Sequence, residues 1–283
     1  MRSTLKRAFY RANHQKFVRR AERKSLTVGL CYHRFEKVPG DDPVAGMAIS
    51  PSLFRAHLET LKNIGTFVSI QEALTPNEDR QIRFVLTFDD GYRDNFEIGL
   101  PILRELGIPA CVYITTDFVR KRLPQLPHDE AVGFAPKALT QGQLQKLAKD
   151  PLITIGCHSA THRRLNDFWR KVWDEELVCS DQWLEETIGH EVMDFAFPYG
   201  QQTDLVWHSA RKYLIETGYR SVVSNFGGAN KREIEDTHTM DAQTLYHLTR
   251  VPMPALEDPH QVIGWTLGMA NPLERFLPKR YLN

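Results

Sequence analysis

The feature that most constrains this chain is a series of short apolar runs, many of them rich in β-branched or aromatic residues. Most of these runs are apolar almost throughout, rather than alternating between apolar and polar positions. This is the pattern of parallel strands that are buried on both faces. The sequence therefore predicts eight strands: Leu26–His33, Phe67–Ile70, Arg83–Asp89, Ala110–Thr115, Ile153–His158, Asp194–Tyr199, Ser221–Ser224 and Leu248–Pro252.

Helical patterns lie between these runs, and several end at a glycine that favours termination, such as Gly65 or Gly107. The predicted helices are Ser52–Ile64, Asn95–Leu106, Leu144–Lys149, Arg170–Ile188 and Leu205–Glu216. Strands that alternate with helices favour a (β/α) barrel or an open doubly wound sheet. The long irregular stretch 119–140 is a candidate active-site loop.

Composition excludes several classes of protein. The formal net charge of +1 over 283 residues indicates neither a nucleic-acid partner nor a strongly acidic one. The four cysteines show no CxxC spacing, so a disulfide framework is not expected. The sequence has no apolar stretch of about 18 residues and no secretory signal pattern. We therefore expect a cytoplasmic protein.

Residues 1–24 form a basic arm, with nine lysines and arginines against the single acidic residue Glu22. Leu5, Ala8, Phe9 and Ala12 recur at helical spacing among these charges. Such a segment is either a solvated basic helix or a helix that contacts a membrane surface. The predicted organisation is this arm, a barrel domain over 25–255 and a C-terminal helix or tail over 256–283.

Polar side chains cluster at the carboxyl ends of the predicted strands. In the stretch FVLTFDDGY, residues 84–92, the apolar run ends at the adjacent carboxylates Asp89 and Asp90, which repel each other unless a cation lies beside them. A simple strand-to-turn junction is the alternative reading. The strand ends of a (β/α) barrel converge on one face. That face would carry His33, Asp89, Asp90, Thr115, Thr116, His158, Tyr199 and Arg250.

A second signal is the pair His158 and His162, which follows another apolar strand. Their spacing of four places both imidazoles on one side of a helical turn. Two histidines and one carboxylate from another strand would form a metal site with an open coordination position. A surface pair of histidines is the alternative.

Three motifs in order resemble the polysaccharide deacetylases, the NodB-homology group of carbohydrate esterases and de-N-acylases. These are TFDDG at 87–91, HSATH at 158–162 and FPYG at 197–200. The opening Tyr32-His33-Arg34 is similar to that of the exopolysaccharide branch. The resemblance implies an α/β fold, a distorted (β/α) barrel of seven to eight mostly parallel strands.

The resemblance also implies roles for individual residues. Asp90, His158 and His162 would bind one divalent metal ion, for which zinc is expected and cobalt, nickel or iron are compatible. Asp89 would be the general base, and the Tyr199 backbone N–H would support the oxyanion. The implied substrate is an N-acetylated amino sugar in a polysaccharide, glycolipid or sugar precursor.

The sequence departs from the family pattern at two positions. Ala196 replaces an arginine of the third motif, and Arg250 stands where the last motif has a histidine that acts as general acid. We predict that Arg250 restores the missing positive charge. The proton donor is then open among His247, His238 and recycling through Asp89. An amidase acting on a small acylated amine or cyclic amide, or a barrel that only binds glycan, remain alternatives.

Overall fold

The computed structural model describes residues 2–35, 47–75, 81–201, 207–225 and 245–269. Its sheet is parallel throughout, and β1 pairs with both β3 and β8, which closes seven strands into a barrel. The short strand β2 adds to the beginning of β3 as an eighth strand. The predicted barrel is confirmed. The strands are β1 Thr27–Tyr32, β2 Thr66–Phe67, β3 Arg83–Phe88, β4 Ala110–Ile114, β5 Ile153–Cys157, β6 Asp194–Ala196, β7 Ser221–Ser224 and β8 Tyr246–Pro252.

Helices cover the outside of the barrel and the ends of its strands. They are α1 Arg2–Lys24, α2 Pro51–Lys62, α3 Ile70–Ala73, α4 Leu100–Leu106, α5 Thr116–Val119, α6 Pro127–Glu130, α7 Gln141–Ala148, α8 Arg170–Trp173, α9 Cys179–Ile188, α10 Trp207–Glu216 and α11 Pro259–Met269. Wider π-helical turns, Asn95–Gly99 and Asp174–Val178, precede α4 and α9. Two helices that the sequence predicts as continuous are therefore interrupted, because periodicity does not distinguish a π turn from an α turn. No helix in the described part of the chain is both long and apolar enough to cross a bilayer.

The barrel encloses a small apolar cluster of its own, separate from the larger core between strands and helices. Its members are Ile70, Ala73, Val85, Cys111, Tyr113, Ala196, Val223 and Leu248. Since side chains alternate across a strand, residues two positions further along each strand point to the same side. Asp89 therefore lies on the same side of its strand as Val85, and Arg250 on the same side as Leu248. Asp89 and Arg250 lie at the carboxyl end of the barrel.

The basic arm is helical in the structure, as α1, and its inner face packs on α11. The Tyr10 side chain is buried, and a Cβ atom added at Gly264 would lie 2.2 Å from the Tyr10 carbonyl oxygen. This close approach requires a glycine at that position. The exposed side of α1 carries Arg11, Lys16, Arg19, Arg23 and Lys24. Contact of this basic surface with a membrane stays a prediction, as do the domain boundaries.

A buried carboxylate behind the barrel should make stability depend on pH. Asp181 accepts a hydrogen bond from the Tyr219 hydroxyl at 2.5 Å, and burial raises its pKa to about 7. The folded protein then retains a proton on Asp181 that the unfolded chain loses near pH 4. This proton stabilises the folded state fully below pH 4. Its contribution to the free energy of unfolding, on the order of 4 kcal/mol, is lost as the pH rises to 7.

Asp181→Asn keeps the hydrogen-bond acceptor and does not titrate, so its free energy of unfolding should fall less between pH 4 and 7 than that of the wild type. Urea unfolding at several pH values measures the difference. Glu191→Gln, at an exposed carboxylate, is the control. Parallel curves for wild type and Asp181→Asn would contradict the prediction.

Candidate active site

Asp89 and Arg250 form a buried ion pair at the carboxyl end of the barrel. The two guanidinium nitrogens donate to the two carboxylate oxygens, at 2.6 and 2.7 Å, and both side chains are almost fully buried. Arg250 also donates to the Thr87 hydroxyl at 2.8 Å. This bidentate geometry fixes the orientation of the carboxylate as well as its charge.

The position of the Arg250 side chain depends on a glycine. Gly29 of β1 is the register partner of Arg250 in β8, and a Cβ atom at Gly29 would lie 2.7 Å from the Arg250 Cγ. The absent side chain lets Arg250 lie along the barrel interior and reach Asp89. Burial is the largest single influence and would raise the pKa of Asp89. The charge of Arg250, the hydrogen bonds from Arg250 and the nearby His158 and His33 together outweigh burial and hold this pKa well below its usual range. Asp89 is therefore an ionised carboxylate, as a general base must be.

The surroundings of Asp90 act on its pKa in the opposite direction to those of Asp89. Its backbone is left-handed, with φ of 78°, which turns the side chain away from the direction that Asp89 takes. The side chain is buried, and neither carboxylate oxygen makes a hydrogen bond. Burial first, and then the charges of Asp89 and Asp129, raise its pKa well above the usual range. A buried carboxylate without donors is costly unless a cation neutralises it.

The two motif histidines face Asp90. The Nε2 atoms of His158 and His162 lie 3.5 and 3.2 Å from the same oxygen, Asp90 Oδ1. The Nδ1 of His158 lies 2.8 Å from the Ala196 carbonyl oxygen, which can only accept. The ring therefore donates from Nδ1 and keeps a lone pair on Nε2, the arrangement usual for a metal-binding histidine.

A loop, and not a helical turn, brings these histidines together. Residues 158–162 are irregular, with Ser159 and His162 both left-handed at φ of 64° and 59°. The expectation of a helical pair is wrong on this point. The buried Glu176 fixes the loop: its carboxylate accepts hydrogen bonds from the Ala160 and Thr161 backbone N–H groups at 3.1 and 2.9 Å, and from the Thr161 hydroxyl at 2.6 Å.

These residues fit a divalent metal ion. Two ligands bound at about 2.0–2.1 Å in tetrahedral geometry lie roughly 3.3 Å apart, close to the separations between Asp90 Oδ1 and the two imidazoles. The unsatisfied oxygens of Asp90 supply the negative charge that such an ion needs. Neutral imidazoles and one carboxylate suit zinc and also cobalt, nickel or iron.

Two histidines near the site received no role from the sequence. His33 follows β1, and its donor atoms lie within 4.8 Å of those of Cys31 and Asp89. Burial lowers the pKa of His33 to about 4, so the imidazole is neutral. His128 belongs to α6, in the stretch suspected as an active-site loop, and its Nε2 lies 3.6 Å from Asp90 Oδ2. The position of His33 directly after a strand placed it on the active face but gave it no role. For His128 the sequence offered only its place within the candidate active-site loop 119–140.

Of the remaining predicted residues, Tyr199 lies at the site and His247 does not. The Tyr199 ring meets the His162 ring edge-to-face, with 4.8 Å between centroids, and the Arg164 guanidinium lies 3.9 Å from the centroid of the Tyr199 ring. His247 is three residues before Arg250 in β8, so its side chain leaves the opposite face of the strand, with Nε2 2.8 Å from Ser224 Oγ. His238 lies outside the described residues.

Solved structures share this fold. A deacetylase of Streptococcus pyogenes, PplD in complex with acetate, superposes with a TM-score of 0.66 and 19% identity, covering 85% of this chain and 98% of its own. IcaB from Ammonifex degensii superposes with a TM-score of 0.59 and 22% identity, covering 86% of this chain and 97% of its own. At these identities the likeness shows the fold alone.

The sequence comparisons identify the family. A curated relative from Bacillus subtilis (strain 168), named polysaccharide deacetylase YxkH, is 25% identical over 203 residues, or 70% of this chain. The match spans 63% of the relative's length. The family model for polysaccharide deacetylase matches residues 77–220, just over half of the chain, including all three motifs. The chain therefore belongs to the polysaccharide deacetylase family, as its motifs predicted.

Proposed function

We propose that this protein removes the N-acetyl group from an amino sugar of a polysaccharide or its precursor, with the help of one divalent metal ion. The observation that carries the proposal is the contrast between the two adjacent carboxylates. Asp89 is ionised and paired with Arg250, whereas Asp90 has no hydrogen-bond donor and faces two imidazoles. One carboxylate is thus available as a base and the other as a metal ligand.

Asp90, His158 and His162 would hold the metal ion. When bound, it would polarise the acetyl carbonyl and make water a better nucleophile near neutral pH. Asp89 is placed to accept the proton of the attacking water, because its Oδ2 lies 3.9 Å from the His158 Nε2. The Tyr199 backbone N–H is proposed to donate to the developing oxyanion.

The leaving nitrogen needs a proton, and among the residues that the structure describes His33 is the group best placed to carry it. Its imidazole is neutral beside Asp89, so it can accept the proton that Asp89 has removed from water and pass it to nitrogen. The C–N bond then breaks, leaving acetate and a free amine. His247 has less support, because its side chain leaves the far face of β8.

The reaction is tested by measuring acetate and free amine together. Oligomers of N-acetylhexosamine are compared with acylated polyamines and with cyclic amides, each with and without added zinc. Equal amounts of acetate and amine from the sugar oligomers would support the proposal. Turnover restricted to the polyamines or cyclic amides would favour an amidase, and glycan binding without release of acetate would favour a binding barrel.

Metal binding should depend on both motif histidines. We expect about one divalent ion per chain after purification, and a clear loss of occupancy in His158→Ala and in His162→Ala, since each change removes one of three ligands. Elemental analysis by mass spectrometry measures the occupancy. His190→Ala, at an exposed histidine, is the control. Full occupancy in both variants would remove these residues from the metal site.

The proton donor should be distinguishable by mutation. Replacing His33 by alanine should lower kcat by about 100-fold, the usual effect of losing an acid–base group, while the metal content is retained. His247→Ala should have a much smaller effect, because its imidazole contacts Ser224 on the outer side of the strand. Steady-state kinetics on the sugar oligomer compares the two. The reverse order of effects would restore His247 as the donor.

A further inference from the structure

We infer that His128 is a fourth protein ligand of the metal ion, added by α6 to the three ligands that the motifs supply, so that the water of the proposed reaction would be a fifth ligand. This inference rests on the metal centre of the proposed function. Its first support is position: the donor atoms of Asp90, His128 and His162 all lie within 4.8 Å of one another. The His128 side chain is about 11% exposed, so it is directed into the protein and not into solvent.

The distances around Asp90 form a consistent set. His162 and His158 lie 3.2 and 3.5 Å from Oδ1, and His128 lies 3.6 Å from Oδ2. No hydrogen bond joins any of them to the carboxylate, and at 3.6 Å His128 is beyond hydrogen-bonding range. Separations near 3.3 Å are those of ligands that share one ion. Three imidazoles therefore surround one unsatisfied carboxylate at the spacing of a coordination shell.

The rings of these histidines also pack against each other. The His128 ring lies 5.0 Å from the His162 ring, at an angle of 67°, and the His162 ring lies 4.9 Å from that of His158. Three neutral imidazoles can approach this closely without repulsion between charges. Once packed, they present several nitrogen donors toward Asp90 at little further cost in side-chain entropy.

A buried ion pair holds His128 in this place. The next residue, Asp129, pairs with Arg34 at 2.5 Å, and both side chains are fully buried. Asp129 also accepts a hydrogen bond from the Tyr92 hydroxyl at 2.7 Å. The Arg34 guanidinium lies over the Phe134 ring at 4.8 Å. These contacts anchor α6 over the site.

A purely structural role for His128 is the competing explanation. The Tyr92 hydroxyl gives its own proton to Asp129, so the Nε2–H of His128 donates to Tyr92 at 2.8 Å, and a metal ion bound at Nε2 would replace that proton. Glutamine at this position could still hydrogen-bond to Tyr92, but it is a poor ligand for zinc. His128→Gln therefore separates the two roles, and His128→Ala removes both. Glu130→Ala, at an exposed residue of the same helix, is the matched control.

The test is the zinc affinity of the full chain, measured by competition with a chromophoric chelator, together with X-ray absorption spectroscopy of the zinc-loaded protein. We expect three imidazoles per zinc in the wild type and two in His128→Gln. Affinity should fall by at least about 10-fold in His128→Gln and His128→Ala, and stay unchanged in Glu130→Ala.

Two imidazoles in the wild type, or wild-type affinity in His128→Gln, would overturn the inference and leave the three-ligand centre intact. Failure of the wild type to bind zinc, cobalt, nickel or iron at all would instead overturn the metal centre of the proposed function. The two failures are therefore distinguishable.

Discussion

Asp89→Asn should reduce kcat by about 100-fold or more, because the amide cannot accept the proton of the attacking water. The change keeps the size of the side chain. The metal content should remain close to that of the wild type, because Asp90, the proposed ligand, lies closer to the imidazoles, at 3.5 and 3.2 Å, than Asp89 does at 3.9 Å. Acetate release and elemental analysis on the same protein sample measure both quantities.

The Asp89→Asn variant also leaves the charge of Arg250 buried without its carboxylate, so its melting temperature should fall. Kinetics are therefore measured well below that temperature, with circular dichroism as a check that the protein is folded. Near-normal turnover in folded Asp89→Asn would show that another group acts as the base. Loss of metal along with activity would assign Asp89 to the metal site.

Arg250→Lys should reduce kcat by roughly 10- to 100-fold while metal binding persists. Lysine keeps the positive charge but cannot reproduce the two parallel hydrogen bonds at 2.6 and 2.7 Å, so the Asp89 carboxylate loses its fixed orientation. The value of KM should change less than kcat, because Arg250 is buried below Asp89 and acts through it as a positioning residue.

A double-mutant cycle tests whether Arg250 acts through Asp89. Once Asp89→Asn has removed the base, adding Arg250→Lys should cause little further loss of kcat. Independent, multiplicative losses would show that the two side chains are not coupled. A complementary rescue uses the family's own arginine: Ala196→Arg in an Arg250→Ala background should recover part of the activity, because Ala196 and Leu248 line the same barrel interior.

The parallel strands were predictable because they have a clear physical signature, and the family resemblance favoured a barrel over an open doubly wound sheet. The runs around Leu86 and Val112 are apolar on both faces, and parallel strands need this to bury themselves between barrel and helices. Once such strands are recognised, their carboxyl ends must converge, which brings Asp89, His158 and Arg250 together from distant positions in the sequence.

Other features depend on contacts that no local pattern records. Glu176 fixes the histidine loop from a π turn that looks like ordinary helix in the sequence. His128 reaches Asp90 because a neighbouring aspartate pairs with Arg34, 95 positions earlier in the chain. His247 seemed a suitable proton donor from its place next to the last motif, but strand alternation places it on the opposite side from Arg250.

The measurement that tests the central claim most directly is acetate release by metal-free protein as zinc is added back. The imidazoles of His158 and His162 face the unsatisfied carboxylate of Asp90. If these three residues hold the ion as proposed, activity should be negligible at first and should rise to a plateau at about one zinc per chain. Asp90→Asn should remain inactive at the same zinc concentrations. Full acetate release by the metal-free protein, or the same zinc response in Asp90→Asn, would contradict the account.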